Sequence, residues 1–111
     1  MTVGEWLAAR TPAAPSALRA RLEAQLGDAL SEDAREASSR FLDAGERLVA
    51  TLLASGSTSR DSALDLLAAD ALVTYAFEAA SEAPAGLATR ASEAMVRIAA
   101  LAVDVPSVPA A

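Results

Sequence analysis

The chain has 111 residues, 53% of them hydrophobic, and its nine basic and fifteen acidic side chains leave a net charge of −6. It contains no His, Cys, Lys or Asn. That composition excludes imidazole general bases, thiolate nucleophiles, Schiff-base amines and soft metal ligands. The acidic balance argues against nucleic acid, whose phosphates attract clustered Lys and Arg, and against an anionic membrane surface.

This length suits one domain, expected over residues 1–104, with an extended or disordered tail over 105–111. About a quarter of the chain is Ala, the strongest helix former and one that lets helices approach closely. Aromatics are limited to Trp6, Phe41, Tyr75 and Phe77, so Leu is expected to supply most of the packing energy. The first residues lack the basic and apolar regions of a signal peptide, no window is apolar enough for a membrane span, and no cysteine is present. A cytoplasmic location is therefore expected.

Thr2 and Glu5 match a capping box and predict a short helix over Val3–Arg10, docked through Trp6 because it is too short to persist alone. Thr11-Pro12-Ala13-Ala14-Pro15 is a break. A second helix is expected from about Ser16 to Leu26, with Leu18, Leu22 and Leu26 on one side and Gly27 as its stop. The third is expected to start at a Ser31 N-cap, with Glu32, Asp33 and Glu36 against the positive end of the dipole, and to end at Ser55. Its apolar stripe includes Phe41, Leu42, Leu48 and Leu52, and Gly45 lies within the stripe as a point of close approach for another helix. Glu36 with Arg40, and Asp43 with Arg47, have the spacing of i,i+4 pairs on the opposite face.

Thr58 and Asp61 open a fourth helix that runs to about Glu82. Leu64, Leu67 and Tyr75 share one side of it, while Leu66, Val73 and Phe77 lie nearly opposite. A helix apolar nearly all round is central in its assembly. A fifth helix over about Ala85–Val103 carries the stripe Leu87, Ala91, Ala94, Met95, Ile98 and Leu101. The short connections predict an all-α fold: an antiparallel up-and-down bundle of three to four main helices plus the short N-terminal one.

Two polar groupings are candidate sites. Glu36 follows Glu32 by four residues and Asp33 by three, a helical spacing at which the three carboxylates would share a face and offer oxygen ligands to Mg²⁺. The run Glu32-Asp33-Ala34-Arg35-Glu36 resembles the Glu-Glu-x-x-Glu element of the MazG-type all-α nucleotide pyrophosphatases. That family completes its metal site with Glu-x-x-Asp on the next helix. The nearest counterparts here, Asp61 with Asp65 or Asp65 with Asp70, differ in spacing, and the family's Lys and Asn contacts have no equivalent. The simpler reading is an acidic first turn that complements a helix dipole. The second grouping is a polar seam of Asp70, Thr74 and Glu78 on the fourth helix, for which Arg40, Arg47, Arg90 or Arg97 are candidate partners. The segment Leu67–Glu78 is also similar to a helix of the trans-prenyl diphosphate synthases, but the paired Asp-rich motifs of that family are absent and no function is carried over.

The leading expectation is a small non-catalytic bundle acting through protein–protein interaction, as a homodimeric accessory or scaffold subunit with no catalytic residues and no cofactor. Its interface would draw on Leu66, Val73, Phe77, Val96 and Val103, which exceed what one small bundle covers. The alternative is a small-molecule binder or a Mg²⁺-dependent nucleotide or phosphate-ester hydrolase built from carboxylates and Arg, with Glu32, Asp33, Glu36, Asp61 and Asp65 as metal ligands.

Overall fold

A computed structural model describes residues 1–82 and 87–102. Five α-helices follow in order: α1 (Val3–Arg10), α2 (Ser16–Leu26), α3 (Ala37–Ser55), α4 (Arg60–Ser81) and α5 (Leu87–Leu101). The fold is all-α, as expected, and its helix packing is that of a bundle. Val103 and the tail lie outside the described residues.

The capping box of α1 is fully formed: the Glu5 backbone N–H donates to Thr2 Oγ1 at 3.1 Å, and the Thr2 N–H donates to Glu5 Oε1 at 3.0 Å. The helix docks through Val3, Trp6 and Leu7, all buried. Gly27 ends α2 with a positive φ of 52°, a backbone region that glycine adopts without a Cβ clash. At the start of α4 the cap is Ser59, whose hydroxyl accepts the Ser62 N–H at 3.1 Å, rather than Thr58.

The start of the third helix differs from expectation. Ser31 is not its N-cap: it ends a 3-10 turn (Gly27–Ser31), and its hydroxyl donates to the Asp28 carbonyl. Glu32 and Asp33 are extended, a second 3-10 turn covers Ala34–Glu36, and the α-helix begins only at Ala37. The cause is tertiary. Val3 N–H donates to the Glu32 carbonyl and Ala34 N–H to the Met1 carbonyl, both at 2.9 Å, so Thr2 and Asp33 form an isolated antiparallel bridge. The Glu32 carbonyl and the Ala34 N–H are thus satisfied by the N-terminus, while the Glu32 N–H and the Asp33 carbonyl bond to the flanking 3-10 turns.

The centre is the α3–α4 hairpin, the most extensive helix pair in the molecule. The buried face of α4 is Ala68, Ala69, Leu72, Ala76 and Ala80, not either of its larger apolar stripes. Small side chains let the backbones approach, and α3 answers with buried Ala44 and Gly45. α2 and α5 also pack on α4, which makes it central, as its apolar circumference implied. Phe41 and Leu72 are completely buried in the core. Trp6, Phe41 and Tyr75 form an aromatic cluster, with ring centroids 5.3 Å apart for Trp6–Phe41 and 6.2 Å for the edge-on Trp6–Tyr75 pair.

Candidate functional site

The carboxylates proposed as metal ligands are placed apart. Glu32 accepts from Arg40 Nε at 3.0 Å. Asp33 caps its 3-10 turn, accepting the Arg35 backbone N–H at 2.9 Å. That bond, with the Arg35 side chain beside it, holds the Asp33 carboxyl below its ordinary value. Glu36 and Asp61 are exposed, and Asp65 is held by Arg21 Nη1 at 2.6 Å. Because residues 32 and 33 are extended, Glu32, Asp33 and Glu36 do not share a helical face. Among the described residues, no group of three or more such side chains is placed to hold a metal ion.

Asp70, Thr74 and Glu78 do step along one side of α4, and all three are exposed. Of the three, Glu78 is reached by an arginine, and it is Arg10, with Nε 3.7 Å from Glu78 and Nη2 3.0 Å from Glu82. The same Glu82 oxygen accepts Trp6 Nε1 at 3.1 Å, and the Arg10 guanidinium lies 4.6 Å from the Trp6 ring centroid. α1 is thereby latched to the end of α4.

Among the described residues, Arg10, Arg19, Arg21, Arg35, Arg40, Arg47 and Arg97 each hold a carboxylate or a backbone carbonyl. The expected i,i+4 pairs are not the ones formed. Arg40 holds Glu32, with Asp43 at 3.6 Å, and Arg47 donates to the Gln25 carbonyl at 3.1 Å. Arg97 of α5 donates to Glu46 of α3 at 2.8 Å, a bond that makes its guanidinium harder still to deprotonate.

The residues expected at an interface fall in three places. Val73 and Phe77 are half-buried and packed against the core. Val96 is 70% exposed on α5. Leu66 is 62% exposed near the α3–α4 turn, where Leu67 (59%) and Leu53 (54%) are also more than half exposed. Leu66, Leu52 and Ala63 line a 310 Å³ hollow beside Ser57, Thr58 and Ser59 of the turn.

One feature is not anticipated by the sequence. A 310 Å³ cleft opens between α3, α4 and α5, with Leu42, Ala76, Phe77 and Ala80 as its apolar lining. Asp43, Glu46, Glu93 and Arg97 supply its charges. The available signal is the placing of Asp43 and Glu46 beside the apolar stripe of α3, and of Glu93 and Arg97 beside that of α5; which helices converge is not readable from it. Comparisons with protein-family models, curated proteins and solved structures gave no match.

Proposed function

We propose that this chain is a non-catalytic helical module that works through protein–protein interaction, as a homodimeric accessory or scaffold subunit. The observation behind this reading is the apolar end of the α3–α4 hairpin, where Leu53, Leu66 and Leu67 are each more than half exposed within two turns of the connection. Apolar surface concentrated at one end of a small domain gains free energy by burial against a second surface, at roughly 25 cal/mol per Å². Gly45, Ala44, Ala68, Ala69 and Ala76 are among the buried residues of the hairpin, while Leu53, Leu66 and Leu67 face outward. The dispersed carboxylates give the metal-dependent hydrolase reading no comparable support. No helix among the described residues is long and apolar enough to cross a membrane; a cytoplasmic setting belongs to the proposal.

The test is solution mass by light scattering over a dilution series. A mass of two chains that persists on dilution, and falls to one chain in a folded Leu66→Glu variant, is the expected result. A monomer at every concentration removes the homodimer.

A further inference from the structure

We infer that the cleft between α3, α4 and α5 is a docking groove for a basic, apolar-anchored peptide segment of a partner protein. This rests on the reading of the chain as a protein-binding module and adds to it the location and the chemistry of a second partner. The cleft volume of 310 Å³ is at the bottom of the roughly 300–1,000 Å³ range of ligand pockets. It therefore suits one or two inserted side chains. Its lining divides in two. Leu42, Ala76, Phe77 and Ala80 form an apolar surface, and the charged positions are three carboxylates against one guanidinium. A Lys or Arg side chain matches both parts, because its methylene stem covers apolar surface while its charged head stays among carboxylates and water.

The charges are unequally engaged. Glu46, with only 17% of its side chain exposed, is committed to Arg97 at 2.8 Å. Asp43 lies 3.6 Å from Arg40, adds with Glu93 only a through-space pull on Arg97 after that of Glu46, and keeps 49% of its side chain exposed. Glu93 is exposed on α5 across the cleft from Asp43. Asp43 and Glu93 are thus the acceptors for an incoming cation, while the Glu46–Arg97 pair ties α5 to α3 and keeps the groove formed. The net charge of −6 favours encounter with a basic segment at long range. A second copy of this chain is a poor occupant of this cleft: Arg10, Arg19, Arg21, Arg35, Arg40, Arg47 and Arg97 already hold partners within the chain.

The probe is a fluorescein-labelled peptide of Lys and Leu at helical spacing, with binding read by fluorescence anisotropy at physiological salt. The variant is Asp43→Asn with Glu93→Gln, which removes two charges and keeps side-chain shape. The control is Asp61→Asn with Asp70→Asn, which removes the same charge elsewhere on the surface. The inference expects the cleft variant to bind about tenfold more weakly and the control to change less than about twofold. A Phe77→Leu variant, which narrows the apolar contact without emptying it, is expected to weaken binding as well. Circular dichroism confirms that each variant is folded. Equal losses in the two charge variants, or no binding by the parent protein, would overturn the inference, because the peptide would then read only the general field or nothing. The outcome is separable from the dimer proposal: a monomer that binds the peptide retains this groove, and a dimer that does not bind it loses the groove alone.

Discussion

Gly45 of α3 lies directly against Val73 of α4. A Cβ placed on Gly45 would stand 3.0 Å from Val73 Cγ2 and 3.4 Å from Leu72 Cβ. Glycine in a helix interior costs about 1 kcal/mol relative to alanine, so the position is kept small by its neighbour and not by local preference. Gly45→Ala is expected to lower stability by about 1 kcal/mol, because the crowding against a stiff β-branched side chain outweighs the propensity gain. In a Val73→Ala background the same change is expected to raise stability by up to about 1 kcal/mol. Chemical denaturation of the four proteins of this cycle measures the coupling; additive effects would show that the contact does not limit the approach of the two helices.

Acid sensitivity follows from two caps. The Thr2 backbone N–H and hydroxyl, in that order, hold the Glu5 carboxyl below its ordinary value of 4.5. The Arg35 backbone N–H acts first in holding Asp33 below 3.8. A carboxyl depressed in the folded state contributes stability that is fully present above its unfolded value and is lost as pH falls through the folded one. Melting temperature is therefore expected to drop as pH falls below about 4.5. Glu5→Gln, which keeps an acceptor but cannot titrate, should flatten part of that drop; an unchanged acid limb in both Glu5→Gln and Asp33→Asn would show that the caps are not its source.

Arg21 and Asp65 brace α2 to α4 through a 2.6 Å ion pair whose side chains are 31% and 20% exposed. Removing one partner leaves the other partly desolvated, at a cost between that of surface and buried pairs, about 1–2 kcal/mol. Asp65→Ala is expected to lose that much in urea unfolding, and its stability should be as indifferent to millimolar Mg²⁺ as that of the parent protein. A Mg²⁺-dependent rise in melting temperature that Asp65→Ala abolishes would reinstate a metal site at this carboxylate.

The apolar end of the hairpin makes a different prediction. Leu53→Ser combined with Leu67→Ser removes exposed apolar area without touching the buried face of α4. The change is expected to weaken self-association by at least about tenfold, read by sedimentation, with a melting temperature at high dilution within a few degrees of the parent. A variant that melts far lower as a monomer would place these leucines in the intramolecular core.

The capping box at Thr2 and Glu5, the stop at Gly27, the end of α3 before Gly56 and the small contact at Gly45 are all legible in the amino-acid sequence. The reason is range: a cap or a glycine stop is decided by residues within one turn. Gly45 is legible because a poor helix former inside an apolar stripe marks a place where a neighbouring backbone comes close. The candidate site is far less legible. Glu32, Asp33 and Glu36 have helical spacing, but spacing implies a shared face only if the segment is helical, and bonds to Met1 and Val3 from some thirty positions away hold residues 32 and 33 extended.

The sequence by itself determined that this is an all-α chain, where its helices break, and that imidazole, thiol and amine chemistry are excluded, because these follow from composition and from interactions within a turn or two. Only the tertiary structure decided which face of α4 turns inward, which partners Arg10, Arg21, Arg40, Arg47 and Arg97 hold, and that α3, α4 and α5 enclose an acid-rimmed cleft. Those outcomes depend on how closely two backbones can approach. In α4 the alanine face admits a neighbouring helix more closely than the leucine faces do, a preference set by the facing Gly45 and Ala44 of α3, which periodicity along one helix does not reveal.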